Sequence, residues 1–264
     1  MKEFKKLSPK KKFGQNFIED QVLLNELVDL IEIEKKDIFV EIGPGTGNLT
    51  ELIINRSTSC TSIEIDRNLV PLLEKRFKNI KGFKLINRDI LSFNINTISE
   101  GEKSIRIAGN LPYNLSSPIL EWSIKNINTI IDMHFMLQKE FAERCAGNEN
   151  SKSYGKLSVI CDYLFEVSIL KDVDKSFFIP PPKVDSAFVR FKPKRKTLNE
   201  IEFVNLKKIL NPLFNAKRKK VKKTLLSLFS EKDLESTGIN LNLRPDELNT
   251  ESFIKLSKLI KNNG

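Results

Sequence analysis

The amino-acid sequence predicts an α/β fold, with a largely parallel sheet, helices on both faces and a small C-terminal all-α domain. Short apolar runs alternate with helical patterns between residues 38 and 146, and such alternation implies right-handed crossovers between parallel strands. A glycine cluster at 43–47 joins the first apolar run to the next helical pattern. Beyond residue 200 the apolar residues recur at spacings of three and four, which is the period of helices.

The individual elements follow one another in a regular order. Residues 20–33 carry apolar side chains at helical spacing and predict the first helix, and the run at 38–42 predicts the first strand. Further strands are expected near residues 59–65, 83–88, 104–109 and 129–137, with helices near residues 49–53, 67–78, 116–126 and 138–146. Two later apolar runs, 157–170 and 186–192, have no evident helix between them and predict an antiparallel hairpin at the sheet edge.

The character of the chain changes near residues 193–199. Two stripes of apolar side chains follow at helical spacing, one made of Phe203, Leu206, Ile209, Leu210 and Leu213 and the other of Leu225, Leu226, Leu228 and Phe229. We therefore expect a main domain at residues 1–195 and a helical domain at residues 196–264.

The composition excludes several classes of protein. A single histidine, His134, rules out a His-rich zinc site and a pair of catalytic imidazoles, so we expect no metal. The three cysteines are widely spaced, which argues against a disulfide framework and for a reducing compartment. No charge-free apolar run reaches the ~18 residues of a membrane span. No apolar signal core follows the lysine-rich N-terminus. We expect a cytoplasmic protein without a membrane partner.

Positive charge is concentrated in two blocks of the sequence. Residues 1–12 carry a net charge of +5 and residues 183–223 a net charge of +11, so the rest of the chain carries −6 of the total of +10. Such blocks attract polyphosphate backbones by counterion release, which predicts a nucleic-acid partner rather than a solvated helix face. The densest run supplies the candidate contacts: Lys217, Arg218, Lys219, Lys220, Lys222 and Lys223.

The glycine cluster at the first strand-to-helix junction indicates a ligand-binding turn. Glycine lets the backbone turn tightly and lie close to a ligand. A dinucleotide-binding turn would need glycine at position 48, which is Asn48, and the Gly-Lys-Ser/Thr sequence of a P-loop is absent. S-adenosylmethionine is the remaining common ligand of such a turn. An ordinary tight loop is the alternative when the cluster is taken alone.

Polar residues end the next three predicted strands. Glu64 lies 17 residues past Gly47 and can accept both hydroxyls of a ribose. Asp89 ends the third strand and can accept a hydrogen bond from an adenine amine, and Asn110 ends the fourth. Because the carboxyl ends of parallel strands line one crevice, we expect these side chains to converge with the glycine turn.

The segment Asn110-Leu111-Pro112-Tyr113 is the strongest catalytic candidate. The adenine amine is a poor nucleophile because its lone pair is delocalised into the ring. The side-chain oxygen of Asn110 and a backbone carbonyl near Leu111-Pro112 can accept both amine hydrogens, which favours the pyramidal form that attacks a methyl group. Proline stiffens the turn, and Tyr113 offers a face on which an extruded base can stack. A strand-terminating turn with a partly buried tyrosine is the alternative.

Five motifs together resemble the ribosomal RNA adenine-N6 dimethyltransferases, in particular their bacterial small-subunit branch (the KsgA/RsmA family). In chain order they are Phe13-Gly14-Gln15-Asn16-Phe17, Glu41-Ile42-Gly43-Pro44-Gly45-Thr46-Gly47, Asn110-Leu111-Pro112-Tyr113-Asn114, Phe178-Ile179-Pro180-Pro181-Pro182-Lys183-Val184-Asp185-Ser186 and Arg244-Pro245-Asp246-Glu247-Leu248. The resemblance spans about residues 10–260. It implies a Rossmann-like S-adenosylmethionine methyltransferase sheet, in an enzyme that dimethylates the N6 of two adjacent adenosines. Those adenosines lie in the 3′-terminal hairpin of small-subunit (16S) ribosomal RNA, and the modification belongs to small-subunit biogenesis.

The same resemblance assigns roles to individual residues. It implies that residues 1–195 bind S-adenosylmethionine and catalyse the transfer, and that residues 196–264 bind RNA, mainly through 217–223. It makes the following residues the cofactor contacts: Asn16, Ile18, Gly43, Gly45, Glu64, Asp89 and Asn110. The catalytic set is Asn110, Leu111, Pro112, Tyr113 and Phe178. Tyr113 and Phe178 would sandwich the flipped base, although Phe178 by its sequence context alone is a core residue.

Two alternatives remain open at this point. Large-subunit (23S) adenine-N6 methyltransferases of the macrolide-resistance type share the glycine turn and the Asn-x-Pro-Tyr pattern, while Leu111 and the Pro-Pro-Pro-Lys-Val run favour the small-subunit branch. The other alternative is a ribosome-assembly factor in which binding outweighs catalysis. The basic stretch is richer in lysine than the family leads us to expect, and lysine has less bidentate geometry toward phosphate than arginine. We expect the partner to be the immature 30S particle and the enzyme to be a monomer.

Overall fold

The computed structural model describes residues 15–99, 104–194 and 199–260. The N-terminal basic block at 1–12 and the first two residues of the Phe-Gly-Gln-Asn-Phe motif therefore lie outside the described residues. The chain divides into two compact units. The sheet unit comprises Met1–Ala142 and Ser168–Pro193, and the helical unit comprises Glu143–Val167 and Lys194–Gly264.

The strands form one large sheet and one small sheet. In chain order they are β1 (Phe17–Ile18), β2 (Ile38–Ile42), β3 (Ser59–Glu64), β4 (Phe83–Asn87), β5 (Ile105–Asn110), β6 (Ile130–Gln138), β7 (Phe165–Val173), β8 (Phe178–Ile179) and β9 (Ser186–Pro193). The large sheet has the order β4-β3-β2-β5-β6-β9-β7, and β1 pairs with β8 in the small one. The first five strands of that order are parallel to their neighbours, and β9 is antiparallel to β6.

The helices alternate with the parallel strands and then continue alone. They are α1 (Gln21–Ile31), α2 (Asn48–Arg56), α3 (Val70–Phe77), α4 (Ser116–Lys125), α5 (Lys139–Cys145), α6 (Lys156–Leu164), α7 (Glu200–Asn215), α8 (Val221–Leu226), α9 (Glu231–Ser236) and α10 (Thr250–Lys258). The apolar stripe of α1 and the buried side of α2 pack on one face of the sheet in a core that includes Phe39, Ala108 and Phe188. The α/β class, the mainly parallel sheet and the C-terminal helices confirm the predicted fold class.

The structure differs from the sequence prediction in the segment 143–167. We predicted a strand from residue 157, but α6 occupies Lys156–Leu164 and β7 begins only at Phe165. A short apolar run fits a buried helix as well as a strand, and here the Ser158 hydroxyl accepts a hydrogen bond from the Gly155 N–H and caps the helix. Helix α6 contacts α7 and α10, so this segment belongs to the helical unit rather than to the predicted main domain.

The second transition between the two units follows the strands at the sheet edge. The chain passes into the helical unit after Pro193, two residues before the predicted boundary. Strands β9 and β7 are neighbours at one edge of the large sheet, as the pair of late apolar runs predicts.

A buried ion-pair network holds α1 to the amino end of the sheet. Arg106 of β5 donates two hydrogen bonds to Asp132 at 2.8 Å and one to Asp37 at 2.6 Å. It also donates to the carbonyls of Ile31 and Glu32, where α1 ends. A buried charge persists only when it is paired in this way, so the network ties the end of α1 to β5.

His134 and the three cysteines are buried side chains. His134 is fully buried on β6, and burial lowers its pKa to about 4, so the imidazole is neutral at pH 7. The three cysteines are buried free thiols. Within the described ranges, no group of His, Cys, Asp and Glu can hold a metal ion, and no helix is long and apolar enough to cross a membrane.

Candidate active site

A pocket opens in the sheet unit at the carboxyl ends of the parallel strands. Its volume is about 270 Å³, close to the lower end of the roughly 300–1,000 Å³ typical of small-molecule sites. All seven predicted cofactor contacts line it: Asn16, Ile18, Gly43, Gly45, Glu64, Asp89 and Asn110. Leu111 and Pro112 also line it, whereas Tyr113 and Phe178 are not among the lining residues. The tertiary structure thus brings together side chains that the sequence only places at separate strand ends.

The glycine turn presents its backbone to the pocket. Gly43 and Gly45 have φ angles of +67° and +59°, in the left-handed region that favours glycine. A Cβ atom at Gly43 would meet nothing within 4 Å, while one at Gly45 would lie 2.8 Å from the ring of Phe17. The turn is therefore open toward the pocket at Gly43 and covered by the N-terminal segment at Gly45.

The segment Asn16–Ile18 is tied across the glycine turn by side chains that the sequence analysis did not identify. The side-chain amide of Asn48 donates to the carbonyl of Ile18 at 3.0 Å. Arg76 donates to the Asn48 side-chain oxygen at 2.9 Å and to the Thr46 carbonyl at 2.6 Å. Asn48 stands where a dinucleotide-binding turn has glycine, so the sequence marks this position as unusual. Its partners Ile18 and Arg76 could not be identified from the sequence because they are 30 and 28 residues away.

The two strand-end carboxylates have different surroundings. Glu64 is 3% exposed, and its carboxylate accepts hydrogen bonds from the backbone N–H groups of Asp66 at 2.7 Å and Gly45 at 3.4 Å. Burial raises the pKa of Glu64. Asp89 is exposed and accepts from the Leu91 N–H at 2.9 Å, which leaves its second oxygen for a ligand. Both carboxylates can accept further hydrogen bonds on the pocket side.

Two exposed apolar residues on the pocket wall were also missed. Ile65 and Leu91 are 43% and 39% exposed, although both line the pocket. Each follows a strand-end carboxylate, Ile65 directly after Glu64 and Leu91 two residues after Asp89. An apolar side chain left open to solvent beside a hydrogen-bond acceptor is suited to the face of a heteroaromatic ring. Their positions one and two residues after the carboxylates could have identified them as pocket residues from the sequence.

The side chain of Asn110 has a defined orientation. Its Nδ2 donates to the backbone carbonyl of Asn16 at 2.7 Å. Because a carbonyl can only accept, this bond fixes which end of the amide is the NH₂ group and turns Oδ1 away from Asn16. The Pro112 carbonyl already accepts from the Leu115 N–H at 2.8 Å, so the Leu111 carbonyl is the better second acceptor. The turn thus presents acceptors at the end of β5.

Comparison with known proteins agrees with this geometry. Residues 6–262 match the family model described as ribosomal RNA adenine dimethylase. The chain belongs to this family. The predicted family and the predicted enzyme class are therefore confirmed.

Individual relatives of the dimethylase family cover nearly the whole chain. A ribosomal RNA small subunit methyltransferase A of Coxiella burnetii (strain RSA 493 / Nine Mile phase I) is 37% identical and covers 97% of this chain and 99% of its own length. One from Pseudomonas syringae pv. tomato is 36% identical, with coverage of 94% and 93%. A dimethyladenosine transferase structure from Plasmodium falciparum has 25% identity, a TM-score of 0.77 and coverage of 91% and 95%. The 23S rRNA methyltransferase ErmE, at 24% identity, TM-score 0.72 and coverage of 92% and 98%, shares the fold.

The two aromatic residues that the dimethylase resemblance pairs around a base have unlike surroundings. Tyr113 is half-buried, and its hydroxyl lies 2.6 Å from the Ser186 hydroxyl. Phe178 is 1% exposed and packs in the core with Ile18 and Leu24. The burial of Phe178 agrees with its sequence context as a core residue. Its stacking role stays a prediction.

The basic residues expected to meet RNA separate into two kinds. Five of them are exposed, namely Arg218, Lys219, Lys220, Lys222 and Lys223. Lys217 is half-buried, donates to the Tyr154 carbonyl at 2.7 Å and lies 3.9 Å from the carboxylate of Asp246. Lys217 therefore has partners inside the helical unit, whereas the exposed side chains are available to phosphates.

Glu41 is a buried pocket residue whose charge depends on pH. It is 1% exposed, and one carboxylate oxygen accepts from the Thr50 hydroxyl at 2.5 Å and from the Ser62 hydroxyl at 2.9 Å. Burial raises the pKa of Glu41 to about 7, against the opposing effect of these two hydrogen bonds. Above pH 4.5, the ordinary pKa of a glutamate, the unfolded chain releases the Glu41 proton. The folded protein keeps this proton up to about pH 7.

We expect Glu41→Gln to become more stable relative to the wild type as the pH rises. Between pH 4.5 and about 7 the folded state binds the extra proton, so the stability contributed by protonated Glu41 is lost through this window. The difference in unfolding free energy should change by roughly 1–3 kcal/mol between about pH 5 and pH 8 in urea titrations. His134 acts in the opposite direction, but both proteins carry it, so it cancels. Parallel pH profiles would contradict the expectation.

Proposed function

We propose that this chain transfers methyl groups from S-adenosylmethionine to the N6 of two adjacent adenosines in the 3′-terminal hairpin of 16S ribosomal RNA. The modification would take place during small-subunit biogenesis. The observation that carries the proposal is the hydrogen bond from the Asn110 amide to the Asn16 carbonyl, which orients Oδ1 as an acceptor beside the pocket. When bound, S-adenosylmethionine supplies a methyl group on a positively charged sulfonium sulfur, and this sulfur leaves readily as a neutral thioether. The chain's residues then need only to bind, orient and polarise.

The pocket residues fit the parts of this cofactor. The buried carboxylate of Glu64 is bonded only to backbone N–H groups among the described contacts, and its remaining acceptor capacity suits the two ribose hydroxyls. Asp89 would accept from the adenine amine, between the exposed side chains of Ile65 and Leu91. The open backbone at Gly43 suits close approach of the methionine part.

The target amine would be held by two acceptors of the Asn110 turn. On an unmethylated adenosine the Asn110 Oδ1 and the Leu111 carbonyl would each accept one amine hydrogen, and on the monomethylated amine one of them would accept the single remaining hydrogen, so that the nitrogen lone pair is localised and directed at the methyl group. Both acceptors belong to a turn that is stiffened by Pro112 and bonded to Asn16, so little reorganisation is needed during transfer.

The small-subunit substrate is better supported than the two alternatives. The relatives at 36–37% identity are named small subunit methyltransferases, and they cover nearly the whole chain. The likeness to ErmE bears on the fold alone. A pocket with oriented acceptors favours catalysis over a binding-only assembly factor. The immature 30S particle as partner, a monomeric enzyme and a cytoplasmic location remain parts of this proposal.

Labelling of ribosomal subunits tests the proposed function. Tritiated S-adenosylmethionine, incubated with the protein and separately with immature 30S and 50S particles, should label only the 30S RNA. The label should map to N6,N6-dimethyladenosine at two adjacent positions. Label in 50S RNA would instead identify the protein as a methyltransferase of the large-subunit type. Tight binding to 30S particles without label would favour the assembly factor. The Asn110→Ala protein controls for contaminating methyltransferases.

A further inference from the structure

We propose that Ser186 is a positioning residue for methyl transfer, because its hydroxyl holds the Tyr113 ring where the target base stacks. The inference rests on the proposed function and deepens it, since neither the sequence motifs nor the pocket lining assigns a role to this serine. Ser186 is 0% exposed, and its hydroxyl lies 2.6 Å from the Tyr113 hydroxyl. This distance is within the usual range for a hydrogen bond between two hydroxyl groups.

The bond fixes the direction of the tyrosine side chain. Tyr113 begins the short 3₁₀ turn that follows Asn110, so its Cα is fixed by the same turn that presents the amine acceptors. Its hydroxyl lies at the far end of the ring, on the axis through Cβ. Anchoring both ends of that axis selects one χ1 rotamer, and the ring then keeps a constant position relative to Asn110.

The anchor itself is rigid because Ser186 begins strand β9. In the sheet order β5-β6-β9, Ser186 pairs with Gln138 of β6, while Asn110 pairs with Met136 on the other side of β6. The Tyr113–Ser186 bond therefore links the turn after β5 to the start of β9, the strand on the far side of β6. Neighbouring Asp185 accepts from the Lys139 and Lys175 N–H groups, which holds the start of β9 on both sides.

The hydrogen bond persists across the neutral pH range. Burial raises the pKa of Tyr113, so the phenol stays protonated and neutral beside Ser186. The hydroxyl at position 186 supplies this bond, since an apolar side chain there would leave the phenol without its serine partner. Ser186 thus acts on the reaction only through Tyr113.

A double-mutant cycle tests the inference. We expect Ser186→Ala and Tyr113→Phe each to lower kcat for methyl transfer about three- to tenfold, the effect of losing one hydrogen bond. The double variant should be no slower than the slower single variant, because both substitutions remove the same bond. S-adenosylmethionine affinity should stay within twofold of the wild type. Multiplying effects would overturn the inference.

A spectroscopic readout separates positioning from general destabilisation. An RNA hairpin with 2-aminopurine at the target position should lose fluorescence when the base stacks on Tyr113 in the wild type, and should lose less with Ser186→Ala. Ser123→Ala is the matched control, since this serine is equally buried and donates to the Ile119 carbonyl of its own helix. If wild-type protein neither methylates nor quenches, the proposed function fails. If Ser186→Ala quenches and turns over like the wild type, only this inference fails.

Discussion

Asn110→Ala should lower kcat for methyl transfer by roughly 10²–10³-fold, the effect of removing one preorganised hydrogen-bonding group at a reacting centre. The substitution removes the acceptor Oδ1 and the Nδ2 bond to the Asn16 carbonyl together. Single-turnover transfer of tritiated methyl groups to 30S particles measures the loss. RNA affinity should stay within threefold, because the exposed basic residues of the helical unit are unchanged.

Two further variants separate the functions of the Asn110 amide. Asn110→Asp keeps an acceptor but cannot donate to Asn16, so we expect partial turnover and weaker cofactor binding. Asn126→Ala removes a similar asparagine, whose Nδ2 donates to the Trp122 carbonyl at 2.8 Å, and should leave kcat unchanged. Near-normal turnover of Asn110→Ala would refute the proposed role of the amide as the amine acceptor.

The second large effect concerns the exposed basic residues. We expect replacement of Lys219, Lys220 and Lys222 by glutamine to reduce the slope of log K against log salt concentration by about 2–3, since each lost phosphate contact lowers it by about 0.7–0.9. All three side chains are exposed. Filter binding of the 16S hairpin between about 50 and 200 mM salt measures the slope, and an unchanged slope would assign the block to a solvated surface.

The chain offers two controls for this experiment. Replacing Lys78, Lys81 and Lys84 by glutamine removes the same charge from exposed positions of the sheet unit, and should leave the slope nearly unchanged. Lys217→Gln should lower the unfolding free energy by about 0.5–1.5 kcal/mol through loss of its bond to Tyr154, with little effect on the slope. A loss of slope for Lys217→Gln would show that it also contacts phosphate.

Much of the pocket follows from local sequence pattern because chain direction places the ends of parallel strands together. Glu64, Asp89 and Asn110 could be recognised in this way, as polar residues at or just after the ends of predicted strands. The segment 157–164 could not, because a short apolar run satisfies a buried strand and a buried helix equally well. Contacts with α7 and α10 decide in favour of the helix, and these contacts lie far along the chain.

Local pattern therefore suffices for the fold class, the glycine turn, the strand-end acceptors and the family. Three-dimensional packing alone identifies the residues that act through a partner. Asn16 orients Asn110 across 94 residues, and Ser186 anchors Tyr113 across 73. Lys217 is distinguished from its exposed neighbours by its bond to Tyr154 and its proximity to Asp246. The physical reason is that a side chain's type indicates what it can bond to, whereas long-range packing selects which bond it makes.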